Sequence, residues 1–226
     1  MFDRVEKLIG IDSLNLIRSK KIMLVGIGGV GGSILESLIR SGIENIVLID
    51  YDTIELSNLN RQVITNINNI GQSKVKTASL LCKSINDKCI IKEYDLYLDE
   101  SNIKEIIEKE KPDYIIDACD SVKTKKSLIL ESLNKKIKII SCMGTANKLN
   151  PSKLKVTDIS KTKNDPLARI FRKWVKDNNI KKLTVLSSDE LPLKKGNTLS
   201  TMCFVPNVAG ILIANYVIMD IINKNN

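Results

Sequence analysis

"MLVGIGGVGG", residues 23–32, is the stretch on which the fold turns. Small apolar residues with strand character run directly into five glycines, and a helical pattern follows. A strand that ends in a glycine turn at a helix start brings backbone N–H groups close to a phosphate. Gly26, Gly28 and Gly31 satisfy the Gly-x-Gly-x-x-Gly spacing, with Gly29 between them. Asp50 ends the next β-rich run, about 20 residues on, where a carboxylate would accept hydrogen bonds from ribose hydroxyls. This reading gives a nucleotide site without choosing the nucleotide. A nicotinamide dinucleotide would imply redox chemistry, and ATP would imply activation.

Outward from this turn, β-rich runs recur at 22–26, 45–50, 89–93, 114–118 and 137–142, with helical patterns at 31–42, 72–85, 102–109 and 123–134. Such alternation predicts βαβ units and an α/β fold with a Rossmann-like, doubly wound, mainly parallel sheet. After Asn150-Pro151 the pattern changes. Strand-like 155–159, a helix over 165–178 opened by Asp-Pro, strand-like 183–187 and 201–205, and a final apolar helix over 207–223 are expected. A single domain over 1–226 is therefore expected, with a Rossmann-like nucleotide-binding core over 1–150 and a C-terminal lobe over 151–226 integrated with it. The apolar run 208–222 reads as too short to span a bilayer and holds Asn215 and Asp220, so a buried helix is expected rather than membrane insertion.

Composition narrows the chemistry. The chain has 226 residues, 43% hydrophobic and 27% charged, with no histidine and a formal charge of +9. Without histidine it cannot run a Ser-His or Cys-His pair or ligate a metal through imidazole. Its five cysteines form no Cys-x-x-Cys pair, so no zinc is expected. Charged residues follow Met1 at once, so no signal peptide and a cytoplasmic location are expected. The positive charge suits an anionic partner such as nucleic acid, or reflects a chain-wide abundance of lysine.

The segment "DYDTIELSNLNRQ", residues 50–62, favours ATP. It collects Asp50, Asp52, Ser57, Asn58, Asn60 and Arg61 after the second strand, and Lys74 opens the next helix. A nicotinamide carries no leaving group and needs no such cluster. Adenylation of a carboxylate expels pyrophosphate, whose developing charge needs fixed cations and Mg²⁺. Arg61 can grip phosphate oxygens with its fork and Lys74 can act as a point charge. In "DYIIDACDS", residues 113–121, Asp120 and Ser121 follow a strand at the sheet edge where ligands bind, with Asp120 placed to hold Mg²⁺.

The stretches "GIGGVGG", "IDYDTIELSNLNRQ", "IGQSKVKTAS" and "DACDS" resemble the adenylation fold of the ubiquitin-activating-type superfamily, which includes activators of sulfur-carrier proteins. The resemblance implies that Asp50 binds ribose, Asn58 and Arg61 contact ATP phosphates, Lys74 stabilises the transition state and Asp120 binds Mg²⁺. The N-terminal "FDRVEKLIG" resembles a helix whose arginine, here Arg4, crosses to the partner's ATP in a homodimer. The second half, from "KVTDISKTKNDPLARIFRKW" to "FVPNVAGILIANYVIMDII", is similar to the bacterial tRNA threonylcarbamoyladenosine dehydratases. That implies an ATP-dependent cyclisation through an adenylated threonyl carboxylate, on tRNA, with sulfur-transfer or redox proteins as possible partners. The alternatives are activation of a small carrier protein's C-terminal glycine and a nucleotide-binding scaffold that never turns over.

In the dehydratase reading the substrate carries both reactants, so no enzyme nucleophile is needed. Cys142, in "SCMGTANK", reads as a buried small residue. Lys161, Lys163, Arg169, Arg172 and Lys173 lie in or beside the expected 165–178 helix, and form either a tRNA-phosphate surface or a solvated face.

Overall fold

The structure, a computed structural model, describes residues 1–193 and 199–223. In chain order its elements are α1 (Asp3–Ile9), α2 (Ile11–Ser19), β1 (Lys21–Val25), α3 (Gly29–Arg40), β2 (Asn45–Asp50), α4 (Lys74–Ile85), β3 (Ile90–Asp95), α5 (Ile103–Glu110), β4 (Tyr114–Asp117), α6 (Val122–Asn134), β5 (Lys138–Cys142), β6 (Leu154–Asp158), α7 (Pro166–Asp177), β7 (Thr184–Ser188) and α8 (Phe204–Ile222), with short 3₁₀ turns between some of them.

The strands form one sheet ordered β3-β2-β1-β4-β5-β7-β6. Every pairing is parallel except β6 against β7. The central strands are apolar on both sides, as a sheet covered by helices requires. Their residues alternate between two cores. Ile22, Leu24, Ile46, Leu48, Ile116 and Ile140 face a layer that includes α3, α4 and α8, whereas Met23, Val25, Val47, Ile49, Ile115 and Ile139 face α5, α6 and α7. The β6 and β7 strands continue the sheet from β5.

Two expectations change. The strand-like run 201–205 is not a strand, because Cys203 caps α8 and the helix begins at Phe204. Its proline, Pro206, lies in the first helical turn, where no backbone N–H is needed. The final helix is also longer than the apolar run suggests. At 19 residues it is long and apolar enough to cross a membrane by length and composition. Its packing accounts for one face of that apolarity, since Val205, Ala209, Ile213, Ala214 and Val217 are buried, while Phe204, Ile211 and Met219 stay exposed. At Gly210 a Cβ would lie 2.5 Å from the Val30 carbonyl oxygen, so the α3–α8 crossing is as close as backbones allow. The α2 helix, absent from the expected elements, buries Leu14 and Ile17, and Ile17 joins the same layer.

Candidate active site

Strand order reverses between β1 and β4, so the loops leaving these two neighbours diverge and open a crevice beyond their C-terminal ends. The glycines divide the labour of building it. Gly26 has φ +88°, and a Cβ there would sit 2.7 Å from the Ala118 carbonyl, so the two loops touch backbone to backbone. At Gly31 a Cβ would meet the Gly26 oxygen at 1.9 Å, which brings helix and turn together. Gly31 thus shapes the turn from below, whereas Gly28 and Gly29 line the cavity itself. No side chain caps α3 at Gly28 and its first turn holds no acid. Its leading N–H groups are consequently available to an anion.

The cavity occupies about 330 Å³, and Asp50, Asp52, Asn58, Arg61, Lys74, Asp120 and Ser121 line it with Gly26, Gly28 and Gly29. Each arrives for a local reason. Asp50 ends β2 and is 9% exposed. Its carboxylate accepts from Ile27 N at 2.5 Å and Asp52 N at 2.9 Å, which ties β2 to the glycine turn. Burial raises its pKa above the usual aspartate value, against the lowering effect of those two N–H groups and of Lys74. Lys74 starts α4 with its ammonium 2.6 Å from Asp52. Arg61 donates to Ser57 O and Asn60 Oδ1, both at 2.8 Å. Asn58, largely buried, closes a capping box with Glu55. Ser57 lines an adjoining groove rather than this cavity. Ser121 caps α6 by accepting from Thr124 N. Asp120, exposed beside it, presents its carboxylate to the cavity.

Several residues not singled out from the sequence join them. Tyr51 and Tyr97 pack edge to face with ring centroids 4.9 Å apart, and with Leu96 and Leu98 they give one end of the cavity an apolar, aromatic lining fit for a flat base. Gln62 is buried at the glycine turn, and its Oε1 has no partner among the described residues. Under the floor lies a fully buried ion pair. Lys125 Nζ is 3.0 Å from both Asp117 oxygens and 2.9 Å from Cys142 O, while Asp117 also accepts from Ser141 Oγ and Cys119 N. Burial is the largest single influence and works against the Lys125 ammonium, but Asp117, Cys119 and Cys142 together outweigh it and hold its pKa above the ordinary lysine value. Tyr51 and Gln62 stand inside the 50–62 segment and Asp117 inside 113–121, and could have been read there. Leu96, Tyr97, Leu98 and Lys125 have no signal in local spacing.

Not every expected residue comes to the cavity. Arg4 is exposed on α1, whose Asp3 and Glu6 line a separate pocket with Glu44 and Asn86–Lys88, which precede β2 and β3. That is the opposite edge of the sheet, so Arg4 cannot reach the cavity of its own chain. In the basic segment Lys161, Lys163, Arg169 and Lys173 are exposed, with Arg169 and Lys173 one turn apart on α7. Arg172 departs from that set, because it donates to Thr162 O at 3.0 Å and Thr162 Oγ1 at 2.7 Å, holding α7 to the preceding turn. Cys142 is buried, and desolvation pushes its thiol up to about 12, which leaves it without nucleophilic character at neutral pH. Among the described residues no three His, Cys, Asp or Glu side chains gather into a metal cluster.

An open helix N-terminus, the cations of Arg61 and Lys74 and the exposed carboxylate of Asp120 around one cavity can bind a polyphosphate and neutralise charge that leaves it. Comparisons with known proteins point the same way. A model of the ThiF family matches residues 2–224. The chain is 33% identical to the tRNA threonylcarbamoyladenosine dehydratase of Bacillus subtilis over 98% of its own length and 94% of that protein. It is 31% identical to the molybdopterin-synthase adenylyltransferase of Haemophilus influenzae over 60% of its length and 55% of that protein. The crystal structure of the Escherichia coli tRNA N6-threonylcarbamoyladenosine dehydratase in complex with ATP superposes with a TM-score of 0.93 at 29% identity, covering 99% of this chain and 94% of that one.

Proposed function

Because the chain belongs to the ThiF family, and matches its tRNA-modifying members from end to end, we propose that it is an ATP-dependent tRNA threonylcarbamoyladenosine dehydratase. The observation that carries this reading is the convergence of Arg61 from the β2–α4 connection, Lys74 from the start of α4 and Asp120 from the loop after β4 around the start of α3. ATP lies with its base toward Tyr51, Tyr97 and the two leucines, its ribose at Asp50 and its phosphates at the glycine turn.

A threonyl carboxylate oxygen of the modified adenosine attacks the α-phosphorus. The new oxygen–phosphorus bond forms as the bond to pyrophosphate breaks, and Arg61, Lys74 and Asn58 stabilise the departing charge. The neighbouring carbamoyl group then attacks the acyl carbon, AMP leaves and an N–H proton passes to water. Ring closure within one substrate can reach effective molarities on the order of 10⁵–10⁸ M, so orientation alone suffices for the second step. This agrees with a chain that has no histidine and whose Cys142 is buried.

Mg²⁺ fits the donor set. It is commonly held by one or two carboxylates together with substrate phosphates, and Asp120 offers one at the cavity edge, with Asp52 nearby on Lys74. When bound, the ion screens the triphosphate charge. In a homodimer Arg4 of one subunit would approach the cavity of the other, as the resemblance of its helix implies; its exposure on α1, away from its own cavity, is consistent with this. A tRNA substrate fits a cytoplasmic enzyme, with sulfur-transfer or redox proteins as possible neighbours. Incubation with ATP and bulk tRNA followed by nucleoside mass analysis tests the reading. Loss of one water from threonylcarbamoyladenosine is expected; a carrier-protein adenylate in its place, or ATP binding without turnover, overturns it.

A further inference from the structure

Asp120, the exposed carboxylate of the nucleotide cavity, stands on a short turn, residues 118–121, between the end of β4 and the first turn of α6. Resting on the dehydratase reading, we propose that the Lys125–Asp117 pair beneath the cavity is a positioning device for adenylation, which aims Asp120 by clamping both ends of this turn. Neither member of the pair lines the cavity.

The clamp starts at the strand ends. Asp117 closes β4 and lies opposite Ser141 in the β4–β5 pairing, and Ser141 Oγ donates to its carboxylate. The same carboxylate accepts from Cys119 N at 3.2 Å, which folds the chain back as it leaves the strand. Ala118 N donates to Val25 O at 2.8 Å, and a Cβ on Gly26 would lie 2.7 Å from Cys119 N. The peptide that precedes Asp120 is thus pressed onto the glycine turn. At the other end Ser121 caps α6, and Lys125 N donates to Ser121 O at 2.9 Å. The Lys125 side chain then returns beneath the turn, with Nζ 3.0 Å from both Asp117 oxygens and 2.9 Å from Cys142 O. Residues 117–125 therefore close into a ring, anchored to β5 and resting on the glycine turn, with Asp120 at its exposed point.

Stability alone is a poor account of such a pair. Both side chains are 0% exposed, and two charges taken out of water recover in attraction little more than their desolvation costs. Packed apolar side chains of similar volume commonly serve a fold as well. Directed contacts are what hydrocarbon cannot supply. The three N–H groups of the ammonium are engaged by Asp117 and Cys142, so Lys125 offers none to a ligand and acts through Asp120. Asp120 has to meet Mg²⁺ and the triphosphate at one place, and a displacement of about 1 Å at such a group can cost on the order of 10²-fold in rate.

The test alters the clamp and leaves every cavity residue as it is. Lys125→Met removes the ammonium, Lys125→Met/Asp117→Leu replaces the pair with apolar groups, and Lys125→Arg keeps a cation whose fork matches the two Asp117 oxygens. The readouts are Tm, kcat and KM for AMP release on tRNA carrying threonylcarbamoyladenosine, and ATP affinity by calorimetry with and without Mg²⁺. Lys125→Met is assayed at a temperature where its melting curve shows it folded. The single and double variants are expected to lose kcat alike, about tenfold to a hundredfold, with KM for tRNA within about twofold, although the double variant melts well above the single. In both, the strengthening of ATP binding by Mg²⁺ shrinks. Lys125→Arg is expected to keep kcat and the Mg²⁺ effect within about threefold of the parent. A double variant whose kcat recovers together with its Tm makes the pair purely structural and overturns the proposal. Loss of kcat with an undiminished Mg²⁺ effect overturns it as well, since Asp120 is then aimed without the clamp. So does a Lys125→Arg enzyme that melts with the parent yet is as slow as Lys125→Met. If the double variant does not fold, the Mg²⁺ effect in folded Lys125→Met decides: unchanged, it refutes the clamp. A parent enzyme that binds ATP yet leaves modified tRNA unaltered refutes the dehydratase reading instead, and the calorimetry still tests the clamp.

Discussion

Removing the Lys74 ammonium separates catalysis from stability, because the two effects have different sizes here. Its nitrogen lies 2.6 Å from Asp52, with the lysine side chain 7% exposed and the aspartate 44%. Once the charge is gone Asp52 still meets water, so the lost ion pair is a largely solvated one, about 0.2–1 kcal/mol. Lys74→Ala also deletes the buried Cγ, Cδ and Cε methylenes, about 2.4 kcal/mol together. Lys74→Met keeps most of that stem. For a chain of this size 1 kcal/mol moves Tm by about 2–4 °C, so Lys74→Ala should melt about 5–14 °C below the parent and Lys74→Met within about 4 °C. Turnover behaves differently. An aimed cation that meets charge as pyrophosphate leaves contributes about 10²–10³ in rate, roughly 2.7–4 kcal/mol, and both variants lose it equally. Their ATP affinity falls far less, since the contact tightens only as the transition state forms. The assay is tRNA-dependent AMP release at saturating ATP, beside melting curves and ATP calorimetry. A folded Lys74→Met that turns over within about threefold of the parent, under 1 kcal/mol, refutes the mechanism and makes Lys74 a partner of Asp52 alone.

Lys125→Met leaves Asp117 buried without its counter-ion and should destabilise the protein by about 3–5 kcal/mol, while adding Asp117→Leu recovers much of the loss; denaturant titrations of single and double variants decide this. Since Lys125 is raised above its unfolded pKa, its contribution is complete below about pH 10.4 and disappears as pH climbs through the folded value, so the parent should lose stability in strong alkali more steeply than the double variant. Asp50 titrates above the ordinary aspartate value of about 3.9, and its ribose contact needs the carboxylate. ATP affinity should therefore weaken as pH falls through that raised midpoint, a limb that Asp50→Asn removes, and an unchanged acid limb in that variant would assign it elsewhere. Reversing Arg169 and Lys173 to glutamate should weaken tRNA binding and flatten its salt dependence with ATP affinity intact, whereas equal salt slopes would place the RNA on another surface.

The legibility of the chain followed the range of the forces involved. β1 and α3 could be read because strand character, glycine turn and helix start are adjacent, and backbone conformation is decided over a few residues. The residues 201–205 misled for the same reason. Threonine, cysteine, phenylalanine and valine favour a strand locally, but the surface of α3, supplied from far upstream, makes them the lead-in to a helix. Lys125 illustrates the limit at the site. A lysine in the middle of a helix ordinarily meets solvent, and its burial depends on Asp117 and Ser141 from two different strands. Arg172 shares its helix face by spacing with Arg169, yet the carbonyl and hydroxyl of Thr162 claim its guanidinium. The cations of the nucleotide cavity were readable because Arg61 and Lys74 fall in short runs that carry their chemistry together. The groove beside it was not, since Asn60, Thr145 and Ser200 meet only after the sheet is assembled.

The close crossing of α3 and α8 also sets an order of events during synthesis. The helix that presents the glycine turn is complete by Arg40, and the surface that shelters its outer face begins at Phe204. At a ribosomal rate of about 5–20 residues per second, the roughly 160 residues between them take about 8–30 s to emerge. Throughout that interval Ile34 and Leu38 lack part of their native cover, and a nascent nucleotide fold of this kind is exposed to chaperones and to its neighbours on the polysome. A substitution that slows the docking of α8, such as Gly210→Ala, would therefore act on the yield of folded protein before it acted on any property of the finished enzyme.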